Sequence, residues 1–398
     1  MSHDRTRSDG STENRLRRRR YLAGVGVGLG LGGAGCLGAP DDSSPGGGDD
    51  GSGSDGAPED DGGPPVRIET VASGLEVPWG MAYRGGDLYL TERPGRVVRV
   101  RDGGGDDGGS GDEGGDRTEL VRDDFPDLEP TGEGGLLGLA FHPDEPTAYT
   151  YGTYDGGGGL ENRVVRHDLE DGWAGEPILG GIPASSIHDG GRLAICDGAL
   201  FVTTGDASEA ELAQDRDSLA GKVLRLTLDG EPHPDNPFGT AVFTYGHRNP
   251  QGLAFREGTL YSTEHGPDTD DEINVLEAGR NYGWPDATGP SGDDEYADPI
   301  ASYTPTIAPG GAAFYDGPVE AWRGDFFFGT LAGEHLRRVR IRRDDGVTVD
   351  EPLFEGEFGR LRTTAVDPDG HLLVATSNRD GRGSPRDGDD RVLRFLPR

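Results

Sequence analysis

The sequence has very little cysteine and lysine: among 398 residues there are two cysteines and a single lysine, Lys222. Two cysteines cannot form the disulfide framework of a small secreted domain. Basic residues number 38 against 73 acidic ones, which gives a formal net charge of −35. A surface this acidic excludes nucleic acid as a partner, because it offers no basic footprint. Since salt screens repulsion between like charges, the acidic excess predicts a protein that works in concentrated salt.

Long apolar runs are also missing. Residues 15–36 (RLRRRRYLAGVGVGLGLGGAGC) place an arginine cluster before a weakly apolar stretch that is shorter than the roughly 20 residues of a membrane-spanning helix. The pattern is typical of a twin-arginine export signal over residues 1–36, and GAGC is similar to a lipobox, which makes Cys36 the predicted lipidation site. The alternative is a basic tail followed by a short apolar run. The sequence thus predicts export to the outer face of the cytoplasmic membrane and contact with that membrane only through a lipid anchor.

Two low-complexity segments flank or interrupt the folded part. Residues 37–65 are rich in glycine, serine and aspartate and are predicted to be a disordered tether. Residues 102–116 are predicted to be an acidic, glycine-rich loop insert. With Cys36 lipidated, Cys196 is left alone, so the mature chain cannot form an internal disulfide. Cys196 is predicted to be a small buried residue.

Six copies of one pattern follow from residue 66. Each copy has a short β-rich strand, a loop containing glycine and a second strand rich in arginine and valine; the copies span residues 85–100, 147–169, 197–230, 257–276, 323–341 and 369–397. The sequence therefore predicts an all-β fold over residues 66–398, a six-bladed β-propeller with four antiparallel strands per blade. The early strand VRIET (66–70) is expected to complete the last blade. A β-sandwich also has short strands, but it does not repeat at this length.

Several unusual stretches lie in the loops between these strands: TGEGGLLGLAFHP (131–143), IHDGGRL (187–193), YGHRNPQGLAF (245–255), EHGPDTDDEIN (264–274), NYGWP (281–285) and GRLRTT (359–364). Together they resemble the soluble aldose (glucose) dehydrogenases that depend on pyrroloquinoline quinone (PQQ), which are six-bladed propellers. The resemblance covers nearly all of residues 66–398 and is closer to the compact aldose branch than to the longer glucose branch. With the acidic composition, it suggests a haloarchaeal protein. It implies PQQ and Ca²⁺ as cofactors and an aldose sugar as substrate.

The resemblance assigns roles to five side chains. His188 aligns with the catalytic base, and an imidazole can accept the proton of a sugar hydroxyl near neutral pH. Arg248 matches a catalytic, quinone-contacting residue, and Asn249 lies beside it. Arg360 and Arg362 match a pair that binds the cofactor carboxylates, and their alternation at strand spacing allows both to face the channel. The alternatives are a turn histidine bonded to backbone, an arginine that caps carbonyl groups between blades and an exposed edge pair.

The metal assignment rests mainly on carbonyl groups. In the family pattern the main-chain oxygens of Gly266 and Pro267 bind Ca²⁺, which accepts six to eight oxygen ligands. The acidic run after them lacks the spacing of a helix-loop-helix calcium site, so Asp270 and Asp271 are expected only to support the metal loop. Acidic runs are usually solvated, which is the alternative.

Three further residues come from the same resemblance. Glu272 and Tyr282 match a second, structural calcium position of the compact branch. Glu133, in GEGG, falls where the family has a polar residue on the substrate side. A glutamate in a glycine turn is equally well explained as an exposed side chain.

The chain also departs from the family. Where the glucose branch has a lysine on the cofactor, this sequence has Ala332 or Gly333, and Thr304 replaces a tryptophan that covers the cofactor. The predicted reaction is still oxidation of an aldose at C1 to the lactone, with electrons passed to an external acceptor, a copper protein or a membrane carrier. No nicotinamide fingerprint follows a βαβ pattern. Two alternatives are a non-catalytic binding propeller and a calcium-dependent lactonase.

Overall fold

The computed structural model describes residues 64–101, 118–342 and 346–398. In these ranges the chain is almost entirely β-structure; the helical elements are two short 3₁₀ turns, Ala210–Ala213 and Glu320–Trp322. The export signal, Cys36, the tether as far as residue 63 and the insert 102–116 lie outside the described residues. None of the described helices is long and apolar enough to span a membrane.

The strands form six antiparallel sheets of four strands each. In chain order they are β1 (Val66–Ala72); blade 1, β2–β5 (Pro78–Arg84, Asp87–Glu92, Arg96–Val100, Thr118–Arg122); blade 2, β6–β9 (Leu136–Phe141, Thr147–Asp155, Leu160–Asp168, Ala174–Pro183); blade 3, β10–β13 (Leu193–Cys196, Ala199–Thr204, Lys222–Thr227, Val242–Tyr245); blade 4, β14–β17 (Pro250–Arg256, Thr259–Glu264, Asp271–Leu276, Ala301–Tyr303); blade 5, β18–β21 (Pro309–Tyr315, Asp325–Thr330, Leu336–Ile341, Val347–Leu353); and blade 6, β22–β24 (Leu361–Val366, Leu372–Thr376, Val392–Pro397) with β1.

The predicted fold is confirmed. Each of the six sequence copies covers the second and third strands of one blade, from β3 and β4 in blade 1 to β23 and β24 in blade 6. The first strands of neighbouring blades pack against each other around the centre. As predicted, VRIET closes the ring: β1 pairs antiparallel with β24, with Val66 opposite Pro397 and Thr70 opposite Leu393. Because one sheet then contains both ends of the propeller chain, the ring has no free seam.

The apolar core lies between the blades. Six clusters of buried side chains each join one blade to the next. Between blades 5 and 6, for example, Trp322 packs on Phe327 and Phe395 with ring centroids 5.0 and 6.1 Å away. Burying one such side chain contributes roughly 1.5–3 kcal/mol. The blades therefore form a rigid frame for the loops that connect them.

The single lysine is structural. Lys222 is buried at the start of β12, and its ammonium donates to the carbonyls of Leu212 (2.8 Å), Ala213 (3.0 Å) and Ala220. Burial lowers the pKa of Lys222 to about 7. Cys196, at the end of β10, is half-buried rather than buried as predicted, because it lies at a blade edge before an exposed turn.

Candidate active site

His188 lies in the loop between β9 and β10, next to the carboxylate of Asp206. Its Nδ1 is 2.8 Å from Asp206 Oδ1, and the two side chains are 14% and 2% exposed. A buried carboxylate accepts a hydrogen bond, so Nδ1 carries the ring proton and Nε2 is left with a free lone pair. The pair therefore presents a nitrogen that can take a proton from a bound molecule.

Local backbone packing brings these two groups together. Asp206 follows β11, and a Cβ on the preceding Gly205 would lie 1.8 Å from the carbonyl oxygen of His188. Only glycine permits that approach. Asp206 also accepts from the main-chain N–H of Ser208 (2.8 Å) and from the indole N–H of Trp284 (2.9 Å). Asp206 was not predicted from the sequence, where its only signal was a lone aspartate in TTGDA at the end of a strand.

Arg248 is held in its loop by a second carboxylate. Glu264 accepts the main-chain N–H of Arg248 through one oxygen and His247 Nδ1 (2.8 Å) through the other. The guanidinium lies 5.4 Å from the ring centroid of Trp284 and donates from Nη1 to the carbonyl of Gly266 (2.7 Å). Burial lowers the pKa of Arg248. The loop before β14 thus carries a fixed cation beside the His188–Asp206 pair.

Asn249 joins these two loops. Its Oδ1 accepts the main-chain N–H of Gly190 (3.1 Å), two residues after His188. Its Nδ2 is buried and has no hydrogen-bond partner within the described part of the chain. The predicted neighbours His188, Arg248 and Asn249 are therefore brought together, and one amide N–H group is left over for a ligand.

Arg360 and Arg362 lie on the same side of the chain, as their strand spacing allows, and both reach the carboxylate of Asp380, which the sequence did not predict. Arg360 donates to Asp380 from Nε (3.0 Å) and Nη2 (2.8 Å), and Arg362 Nη2 lies 3.7 Å from the same carboxylate. Arg362 Nη1 also donates to Gln251 Oε1 (2.7 Å). Burial lowers the pKa of Arg362 to about 10. The alternative of an exposed edge pair is wrong, since both side chains are buried.

A third buried arginine, Arg192, was missed although it stands in the quoted IHDGGRL stretch. Its guanidinium stacks 4.1 Å from the centroid of Trp79 in blade 1 and donates from Nε to the Gln251 carbonyl of blade 4 (2.9 Å). Burial lowers its pKa to about 9. A strand pattern does not show whether an arginine is buried. Only the structure shows that Arg192 links blade 1 to blade 4 across the centre of the propeller.

The site has more buried donors than acceptors. Within the described residues, four nitrogens of these side chains are buried without a hydrogen-bond partner: Arg192 Nη2, Arg248 Nε, Asn249 Nδ2 and Arg362 Nε. A buried donor left unpaired is unfavourable by about 1–3 kcal/mol. A ligand with several acceptor oxygens would satisfy them. The residues present therefore fit PQQ, with its three carboxylates and its quinone oxygens.

The predicted calcium carbonyls lie at the edge of this cluster. Gly266 is half-buried and its carbonyl faces the Arg248 guanidinium, whereas Pro267 is exposed. Asp271 supports the loop, because it accepts the main-chain N–H groups of Gly266 (2.8 Å) and Ala308 (2.7 Å). Among the described residues no three His, Cys, Asp or Glu side chains form a metal-binding group. A site of main-chain carbonyls completed by a cofactor needs no such group.

Glu272 and Tyr282 line one small cavity together with Glu264. Glu272 stands opposite Glu264 in the β15–β16 pair, and burial together with that neighbouring charge raises the pKa of Glu272 to about 8. A cation beside these two carboxylates would relieve their repulsion. The Tyr282 hydroxyl donates to the Val275 carbonyl (2.6 Å) and accepts the Glu277 N–H (2.9 Å). Tyr282 can thus offer a metal its main-chain oxygen, not its phenol.

Glu133 is part of the same site. It accepts the main-chain N–H of His188 through Oε2 (3.2 Å) and Arg382 Nη1 through Oε1 (2.6 Å). Burial opposes its ionisation, but His265 and Arg382 lower the pKa of Glu133. The alternative of a merely exposed side chain is wrong. Arg382 was not singled out from the sequence, because it stands 249 positions away.

The two departures from the family lie on exposed loops. Thr304 is exposed and its hydroxyl donates to Asp270 (3.0 Å); Ala332 is exposed as well. The tryptophan found at this site is Trp284, between Asp206 and Arg248. It belongs to NYGWP, and the sequence alone predicted no role for its indole.

The fold and the site together define a propeller with a histidine–carboxylate pair beside a cluster of buried arginines. The family model described as glucose / sorbosone dehydrogenase matches residues 75–386, and the chain belongs to this family. The PQQ-bound aldose sugar dehydrogenase of Streptomyces coelicolor is 37% identical, with a TM-score of 0.74 over 83% of this chain and 98% of that one.

Two curated relatives are similar over most of their length. The aldose sugar dehydrogenase YliI of Escherichia coli is 30% identical, with 81% of this chain and 93% of the relative covered. The quinoprotein glucose dehydrogenase B of Acinetobacter calcoaceticus is 28% identical, with 76% and 83% covered.

Proposed function

We propose that the protein oxidises an aldose sugar at C1 to the lactone, with PQQ and Ca²⁺ as cofactors. The observation that carries the proposal is the His188–Asp206 pair, 2.8 Å apart, beside the fixed guanidinium of Arg248. A base, a cation and unpaired buried donors are the groups that this reaction needs in one place. The chain also belongs to the glucose / sorbosone dehydrogenase family, which supports the same class of reaction.

His188 Nε2 takes the proton of the anomeric hydroxyl. The imidazolium that forms keeps its Nδ1–H bond to Asp206, whose buried carboxylate stabilises the positive charge. Asp206 also fixes the ring orientation, because Trp284 and Ser208 hold the carboxylate from two sides. Glu133 accepts the main-chain N–H of His188 and is itself held by Arg382, so it fixes the backbone of the base. When bound, PQQ supplies the two-electron acceptor for the hydrogen and electron pair that leave C1.

The cofactor is held by donors that the chain leaves unpaired. Arg362 Nε and Asn249 Nδ2 would donate to its acceptor oxygens, and Arg248 would add the N–H groups that its loop contacts leave unused. Arg360 keeps Asp380 in place and so fixes the Arg362 side chain as well as adding positive charge.

Calcium is assigned to the carbonyl oxygens of Gly266 and Pro267, with a second ion at Glu272 and the main-chain oxygen of Tyr282. The Gly266 carbonyl accepts one hydrogen bond, from Arg248, and its second lone pair is left to bind a cation. We further propose that the protein is exported by the twin-arginine route and anchored at Cys36. An external copper protein or membrane carrier would be the final electron acceptor.

The test is a titration of the purified protein with PQQ in high salt, with and without Ca²⁺, followed by dye reduction with several aldoses. We expect saturable, calcium-dependent turnover that His188→Ala abolishes while PQQ affinity is kept. The matched control is His142→Gln, a histidine whose Nδ1 only accepts turn N–H groups in blade 2. Turnover retained in His188→Ala contradicts the assigned base.

The two alternatives give different results in the same experiment. A binding propeller takes up no PQQ and reduces no dye with any sugar. A calcium-dependent lactonase hydrolyses lactones in the presence of Ca²⁺ alone, without quinone. Either result refutes the proposed dehydrogenase.

A further inference from the structure

Arg93 lies beside the candidate site, in the turn between β3 and β4. Its main-chain N–H donates to the Val77 carbonyl (3.1 Å), and its carbonyl accepts the N–H of Leu136 (3.0 Å). A Cβ on Gly135 would lie 2.9 Å from Arg93 Cγ. The base of the Arg93 side chain therefore packs on the segment that carries Glu133, and a main-chain hydrogen bond joins the turn to the first strand of blade 2.

The Arg93 guanidinium has no assigned task inside the protein. It is half-buried, yet within residues 64–101, 118–342 and 346–398 it makes no hydrogen bond, ion pair or ring contact. The charges that act on it most strongly are the carboxylates of Asp380 and Glu133, and Arg382 repels it. Burial lowers the pKa of Arg93, as expected for a cation that has lost part of its water without gaining a partner.

Both neighbouring carboxylates are already used. Asp380 accepts two hydrogen bonds from Arg360 and lies 3.7 Å from Arg362, and Glu133 pairs with Arg382 at 2.6 Å. Four guanidinium groups, including Arg93, thus surround two carboxylates. Two positive charges are left uncompensated at this point of a chain whose net charge is −35. A local cationic excess on so acidic a protein calls for an anionic ligand.

We propose that Arg93 binds a carboxylate group at the candidate site, where the planar guanidinium can hold both carboxylate oxygens. This inference rests on the proposed function, which supplies two sources of a carboxylate: the cofactor and an acidic sugar such as a uronic acid. The exposed, partnered arginines elsewhere on the chain do not meet the same condition. Arg101, for example, is paired with Glu119 at 2.7 Å and is 64% exposed.

The test compares Arg93→Gln and Arg93→Lys in the full chain, with Arg101→Gln as a control that removes the same charge from an exposed ion pair. Calorimetric titration with PQQ and Ca²⁺ in high salt gives the first readout. Since hydrogen bonds to charged groups are among the strong ones, Arg93→Gln should weaken PQQ binding at least tenfold, and lysine should restore part of it. Thermal unfolding without ligand should be unchanged, which separates binding from folding.

The second readout distinguishes the source of the carboxylate. With PQQ saturating, we compare KM and kcat for glucose and glucuronate. If PQQ affinity is kept but Arg93→Gln raises KM for glucuronate and not for glucose, Arg93 binds the sugar acid. If neither changes while the parent protein binds PQQ, the proposal for Arg93 is overturned and the dehydrogenase stands. If the parent protein binds no PQQ and oxidises neither sugar, both proposals fail.

Discussion

Replacing Asp206 by asparagine tests how the site makes a base of His188. The carboxylate uses Oδ1 to accept from His188 Nδ1 and from the N–H of Ser208, both at 2.8 Å, and Oδ2 to accept from Trp284 at 2.9 Å. All three contacts come from donors, and asparagine has only one acceptor oxygen. One position must therefore receive an NH₂ group that faces another donor.

Either orientation of the amide is unfavourable. If the NH₂ group faces Trp284, the indole N–H loses its acceptor, and the bond to His188 loses the negative charge that stabilises the imidazolium. If the NH₂ group faces His188, the ring must accept at Nδ1, so the proton moves to Nε2 and the base is blocked. A charge-assisted hydrogen bond is worth about 1.5–3 kcal/mol, so kcat should fall roughly 10- to 100-fold.

The assay is steady-state dye reduction at saturating PQQ and Ca²⁺ in high salt, with the free energy of unfolding measured beside it. Asp215→Asn is the matched control, because Asp215 is an exposed aspartate on the same loop whose Oδ1 accepts only a turn N–H (3.0 Å). PQQ affinity should stay within about twofold of the parent, since Asp206 is not assigned to the cofactor. An Asp206→Asn protein that is folded and keeps the kcat of the control would refute the role of the carboxylate.

Two further predictions concern stability. Burial raises the pKa of Asp189 from 3.8 to about 7, so the folded chain keeps a proton that the unfolded chain loses, and stability should fall as pH rises from about 4 to 7. Asp189→Asn, which keeps an oxygen for Asn162, should remove that fall, which is worth up to roughly 4 kcal/mol. Denaturant titrations at pH 4.5 and 8 measure the free energy of unfolding of both proteins. If the variant loses as much stability between these two pH values as the parent does, the prediction is contradicted. Gly205→Ala should destabilise by about 1–3 kcal/mol, because its Cβ meets the His188 carbonyl at 1.8 Å. Gly180→Ala, whose Cβ would have 3.9 Å of room, is the control in thermal unfolding, and equal effects would refute the reasoning.

Fold class and ring closure could be predicted from the sequence because both depend on short-range patterns of strand and turn residues. Strand residues alternate, turns carry glycine, and the pattern returns six times, so each copy marks the middle two strands of a blade. The first strand could be assigned to the last blade for the same reason, since a propeller must close. Family motifs then pointed to His188, Arg248, Asn249, Arg360 and Arg362, and the structure brings all five to one end of the frame.

The partners of those residues depended on the tertiary structure. Asp206, Asp380 and Arg382 stand in ordinary polar loops, and no local pattern tells a buried, bonded aspartate from a solvated one. Ring closure brings Arg382 to Glu133 across 249 positions, and only burial shows which arginines lack a partner. Whether a charged side chain is free to bind a ligand depends on how many opposite charges contact it and on how much water it loses on burial. Both are determined only when the six blades have packed together.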